Sequence, residues 1–214
     1  MIKYVLFDFD GTLVDSREVF ISAFNHIAHK YNFKKIDATN LDYLKKMSMI
    51  ERLRFLNVPL YKLPFFTKEF LSLYQSQVVS ISLIAGMKSV LERITNLGLK
   101  IGIVSSNSVA TIKSFVENNS IVDISDVYCS GRLFRKDRVF RKFLKEKNLA
   151  SGEVLYVCDE LRDILACNKV QIKPIWVSWG FEIKEAIKGG NIFYAAHTPE
   201  ELITIIEDEH LRCV

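Results

Sequence analysis

The chain has 214 residues, 49% hydrophobic and 25% charged, which is enough apolar content for a sizeable core and excludes a disordered chain. A net charge of +4 suits an anionic ligand but falls short of a nucleic-acid signature, so no nucleic-acid partner is expected. The four cysteines, at 129, 158, 167 and 213, contain no C-x-x-C pair, so neither a zinc site nor a disulfide framework is indicated.

Tyr4 to Phe7 reads as a buried strand and delivers the nine residues DFDGTLVDS, from Asp8 to Ser16. Strand alternation turns Asp8 and Asp10 to one side, while Gly11 and Thr12 make a turn that lets main-chain groups approach a ligand. One carboxylate can attack a phosphoryl centre and form an aspartyl-phosphate, and a second can hand its proton to the leaving alcohol. Asp8 suits the first role and Asp10 the second. An EF-hand loop would want Gly at its sixth position and Glu at its twelfth, where this chain has Leu13 and Val19. Two solvated turn carboxylates are the plainer alternative. No basic, apolar and small-residue signal pattern precedes this strand, and no apolar run reaches about 18 residues, so a cytoplasmic protein without a membrane partner is expected.

Residues 18–80 show helical periodicity without a convincing strand. Asp15 or Ser16 can cap the first helix, whose apolar face runs through Phe20, Ala23, Phe24, Ile27, Ala28 and Tyr31; Pro59 and Pro64 punctuate the rest. His26 and His29 lack a third ligand in reach and read as a solvated face. Beyond this insert, strands at 100–105, 126–130, 153–158, 173–178 and 191–195 alternate with helices at 87–97, 109–117 and 139–148, the signature of a parallel α/β sheet. A last helix opens with Thr198, Pro199 and Glu201 in capping-box spacing.

Three further segments carry chemistry. In IGIVSSNS a buried strand presents Ser105 and Ser106 at its carboxyl end, where a hydroxyl and the following helix N–H groups can hold phosphate oxygens or merely cap the helix. The basic stretch RLFRKDRVFRKFLKEK offers several cations, of which Arg138, Arg141, Lys142 and Lys145 follow the spacing of a solvated helix face. VLYVCDELRDI ends a strand in Asp159, with Asp163 one helical turn on.

These four segments, in this order, resemble the motifs of the haloacid dehalogenase superfamily, and more narrowly its phosphoglycolate-phosphatase-like members. The resemblance implies a doubly wound parallel sheet of order 5-4-1-2-3, formed by residues 1–15 and 83–214, with an α-helical cap at 16–82 hinged near 14–17 and 82–86. It further implies Asp8 as nucleophile, Asp10 as general acid and base, and Lys136, in the family's FGKD position, as the catalytic lysine. Ser105, Ser106, Gly11 and Thr12 would contact phosphate. Mg²⁺ would lie between the carboxylates of Asp8 and Asp159 and the carbonyl of Asp10, with Asp163 orienting Lys136 or the metal waters. The expected reaction is hydrolysis of a small phosphorylated metabolite by a monomer or homodimer, with phosphoglycolate as the leading substrate. Lys45, Lys46, Arg52 and Arg54 are candidate partners for its carboxylate. Three departures stand out: Cys158 and Arg135 replace glycines usual in the family, and Asn168 to Val170 lacks its Ala-Gly. A β-phosphoglucomutase-like phosphomutase and a degenerate binding or regulatory protein are the alternatives, the second motivated by Cys158.

Overall fold

A computed structural model describes residues 1–119, 121, 124–130 and 135–212; residues 132–134 of the basic stretch and Cys213 lie outside the described residues. The apolar segments that read as strands pair in parallel. β1 (Tyr4–Phe7) lies between β4 (Lys100–Ser105) and β6 (Val154–Cys158), with Phe7 level with Ile103 on one side and Val157 on the other. β5 (Ile124–Cys129), β7 (Lys173–Val177) and β8 (Tyr194–Ala196) complete the order β5-β4-β1-β6-β7-β8. That is the expected five-strand order with a sixth strand added beside β7.

Period-two alternation along the buried strands divides the core into two layers. Val5, Phe7, Ile101, Ile103, Leu155 and Val157 face one way, toward α5 (Met87–Asn96), α6 (Val109–Asn118) and α9 (Pro199–Leu211). Tyr4, Leu6, Tyr156 and Cys158 face the other, toward α7 (Lys136–Lys147) and α8 (Leu161–Asn168). Helices on both faces explain why these strands are apolar without interruption. The Thr198 hydroxyl accepts from the Glu201 N–H, but Glu201 reaches back to the His197 N–H, one residue before the position a capping box uses.

Between the first two core strands, β2 (Val14–Asp15) and β3 (Ser82–Leu83) form a short antiparallel ribbon through which the chain leaves and re-enters the core. The insert between them holds α1 (Arg17–Tyr31), α2 (Leu41–Lys45), α3 (Met49–Phe55) and α4 (Leu63–Ser76), packed around Phe24, Ile27, Leu44, Leu53 and Phe66. Ser16 sits at the start of α1 without a side-chain capping bond, and the Asp15 carboxylate accepts from the Arg17 N–H instead. No helix among the described residues is long and apolar enough to cross a membrane.

Candidate active site

β1 ends at Phe7, so the chain has left the strand by Asp10 and alternation no longer governs where that side chain goes. Asp8 and Asp10 therefore have separate partners. Asp8 Oδ1 lies 2.8 Å from Lys136 Nζ and accepts from the Phe9 N–H at 2.7 Å. Lys136 Nζ also lies 2.6 Å from Asp163 Oδ2 and donates to the Tyr156 hydroxyl at 2.8 Å. The Tyr156 hydroxyl in turn donates a hydrogen bond to the Val104 carbonyl at 2.9 Å. All four of these side chains are buried. Burial works against the ammonium, yet Asp163 and Asp8 outweigh it and hold Lys136 above the usual lysine range. Desolvation raises the Asp8 carboxyl, with Lys136 opposing.

Asp10 is bound by a different set. Its Oδ1 accepts from the Tyr74 hydroxyl of α4, and its Oδ2 from the Asn107 amide at 3.3 Å. Burial raises its pKa, and the bonds from Tyr74 and Asn107 pull it back. Ser105, fully buried at the end of β4, accepts from the Asn107 N–H through its Oγ, while Ser106 is half-buried and lines the cavity beside Asp10. Ser108 caps α6 by accepting from the Thr111 N–H.

Asp159 follows β6 and is completely buried. Thr12 Oγ1 donates to its Oδ1 at 3.1 Å and the Phe181 N–H to its Oδ2 at 2.6 Å. The Thr12 hydroxyl is thus directed at Asp159, which leaves the main-chain groups of the turn for a ligand. Burial first, and Glu160 next door, push the Asp159 carboxyl up to about 7. Two glycines make room for it. A Cβ on Gly11, whose φ is +73°, would sit 2.7 Å from Asp159 Oδ2, and one on Gly180 would sit 2.2 Å from the same atom.

The segment around Gly180 closes this side of the site. Trp179 Nε1 donates to the Thr12 carbonyl at 3.1 Å, and Glu182 accepts from the Leu161 N–H at the start of α8. The helical insert meets the same segment through Arg52, which donates to the Phe181 carbonyl at 2.9 Å and lies 3.9 Å from Glu160 and 3.7 Å from Glu182. Of the four insert cations named from sequence, Arg52 alone lines the cavity above Asp10; Lys45 pairs with Asp42, and Lys46 and Arg54 are exposed. Sequence reasoning missed Tyr74, Arg162 and the role of Phe181. Tyr74 lies 64 residues from Asp10 on an apolar helix and gives no signal. Arg162, which donates to Glu160 and lines the cavity, was visible inside the fourth motif. Both His26 and His29 are exposed, and no group of three or more His, Cys, Asp or Glu side chains among the described residues is arranged to hold a metal.

Buried carboxylates around a buried lysine, at the carboxyl ends of strands where the order of a doubly wound sheet reverses, define an α/β enzyme. The model of the haloacid dehalogenase-like hydrolases matches residues 5–177, and the chain belongs to that family. Within it, the likeness is to the phosphoglycolate-phosphatase-like members. A phosphoglycolate phosphatase of Synechococcus elongatus is 26% identical over 94% of this chain and 96% of the relative. Among solved structures, a predicted phosphatase from Clostridium acetobutylicum matches with a TM-score of 0.83 at 20% identity, covering 97% of this chain and 99% of the other. A haloacid dehalogenase-like hydrolase from Streptococcus pneumoniae matches with a TM-score of 0.80 at 20% identity, covering 96% and 98%.

The departure at Cys158 shares its layer with Lys136 and Asp163, and both act on its thiol electrostatically. Its side chain packs on the α7–α8 layer with Ile164, Cys167 and Trp176, and burial raises its thiol pKa, so it is an inert core group. Cys158→Gly should lower stability in a denaturant titration by about 1–2 kcal/mol, from lost burial and added chain freedom. Activity should be kept or raised. Loss of turnover in a folded Cys158→Gly protein would give the thiol a role.

Proposed function

We propose that this protein is a Mg²⁺-dependent phosphomonoesterase acting through an aspartyl-phosphate on Asp8. The observation that carries the reading is Lys136 held between Asp8 and Asp163, which supports a nucleophilic carboxylate with a fixed cation beside the incoming phosphoryl group. The Lys136 and Phe9 contacts both fall on Oδ1 of Asp8, so the attacking pair is assigned to Oδ2. Attack on phosphorus breaks the bond to the alcohol oxygen, and Asp10 supplies the proton that the departing alcohol needs. Asp10 then takes a proton from water as that water attacks phosphorus, releasing phosphate and restoring Asp8. Ser105, Ser106 and the Gly11–Thr12 turn are assigned to the phosphate oxygens, and Asp163 to positioning Lys136.

The residues fit a magnesium ion. Asp8 and Asp159 offer carboxylates and Asp10 a carbonyl, an all-oxygen set of the kind Mg²⁺ prefers when water and substrate complete its shell. Asp159 is buried against neutral donors, and a cation would offset its desolvation. When bound, the ion would supply positive charge that lets an anionic carboxylate approach an anionic ester. The 26%-identical relative makes phosphoglycolate the first ester to assay.

Asp8→Asn should abolish turnover by several orders of magnitude on every ester. Asp10→Asn should lose most on esters with poor leaving groups and least on activated aryl phosphates. Equal losses on both classes would reject this division of roles.

Tyr74→Phe removes a donor that holds the Asp10 carboxyl down, so the Asp10 pKa should rise. Because Asp10 must be protonated to act as the acid, the basic limb of the kcat profile should move to higher pH. An unshifted limb would show that Tyr74 is structural only.

Metal binding has a readout apart from activity. Between 3.8 and about 7, folded Asp159 keeps a proton that the unfolded chain has released, so its contribution to stability falls as pH rises through that window. Mg²⁺ binds the ionised form and should raise the thermal midpoint more at about pH 8 than at about pH 5. No rise at either pH would remove the metal from the proposal.

A further inference from the structure

We infer that the leaving-group side of this site holds a compact apolar group, so that the substrate is the phosphate monoester of an alcohol bearing a small ring or branched alkyl chain. The inference rests on the phosphatase reading and names its substrate class. A cavity of about 120 Å³ opens beside Asp10, Ser106 and Asn107 and runs into the insert between α1, α3 and α4. Its inner wall is Phe24, Ile27, Leu53, Phe66 and Leu71. Cores normally leave few voids larger than a water molecule, whereas a dry apolar cavity of roughly 150 Å³ admits benzene. The volume here is of that order, and it is continuous with the proposed acid.

The charges argue the same way. A carboxylate such as that of phosphoglycolate needs a cation where it is buried. Arg52 and Arg162 are the cations lining the cavity among the described residues. Arg52 is engaged by Glu160, Glu182 and the carbonyls of Leu44 and Phe181, and Arg162 donates to Glu160. Both guanidiniums are thus already engaged by acceptors of the protein. An apolar alcohol asks nothing of them and buries its surface against the insert.

The test compares kcat/KM of the wild-type chain with Mg²⁺ for benzyl, isobutyl and ethyl phosphates and for phosphoglycolate. The three neutral alcohols are comparably poor leaving groups, so differences report the pocket. Benzyl and isobutyl phosphate should exceed ethyl phosphate by roughly tenfold or more, mainly through KM, and phosphoglycolate should fall below ethyl phosphate. Leu71→Trp, which fills the cavity, should collapse the benzyl-to-ethyl ratio measured within one preparation, so that any general loss of activity cancels. Phosphoglycolate matching or exceeding benzyl phosphate, or a benzyl-to-ethyl ratio near one, overturns the inference and leaves the phosphatase reading intact. If no ester turns over, the phosphatase reading fails, and calorimetric binding of benzylphosphonate against phosphonoacetate decides the pocket separately. Tighter benzylphosphonate supports it, and equal or weaker binding overturns it.

Discussion

One buried ammonium organises the centre of this molecule. Lys136 Nζ, from α7, lies between Asp8 at the end of β1 and Asp163 in α8, and touches Tyr156 of β6, so a single charge ties two strands and two helices together. An unpaired lysine in such surroundings would give up its proton, and an unpaired carboxylate would take one. Each therefore depends on the others, and removing one partner from such a set typically costs about 3–5 kcal/mol. Lys136 is also the first residue of α7, the end of a helix where a cation is least favoured. The carboxylates outweigh that local preference. Replacing such a buried charge set by apolar groups of similar volume is often neutral or stabilising, so these charges are weak evidence of a role in stability.

The second constraint is closeness around Asp159. Two glycines bring the backbone of the first loop and of the segment after β7 within reach of its carboxylate, and any side chain at either would displace it. Hydrogen bonds from Thr12 and Phe181 then fix both oxygens. The same segment carries Trp179 back to the first loop and offers Phe181 and Glu182 to the insert through Arg52. The helices that cover the site are thus joined to it by polar contacts at its rim and by Tyr74 at its floor.

The strand parity that separates the two core layers also decides where the residue before Asp159 points. Cys158 directs its side chain into the α7–α8 layer, among Ile164, Cys167 and Trp176, where a small apolar group is well placed. The acidic groups that follow it are held by their own partners. The change alters packing in the layer from which Lys136 and Asp163 reach the site.

The strands, the helices on both faces and the four ordered motifs were legible in the chain, because each depends on local periodicity or on short spacings. Asp8 and Asp159 stand in segments whose apolar runs place them at strand ends, Asp163 lies one helical turn beyond Asp159, and Lys136 follows from the likeness of the third motif to the family's FGKD stretch. The partners of Asp10 were not legible. Tyr74 reaches it from 64 residues away and Asn107 from 97, and neither distance leaves a pattern in the sequence. The same holds for the Thr12 hydroxyl, which turns to an aspartate 147 residues on, and for the cavity, whose walls come from three helices of the insert. Basic residues in that insert looked alike in sequence, and only packing set Arg52 at the site and left Lys46 and Arg54 in solvent. Sequence by itself determined which groups could do chemistry, since residue type and periodicity are local. Tertiary structure decided which of them meet and what faces the leaving group, since those depend on contacts between segments far apart in the chain.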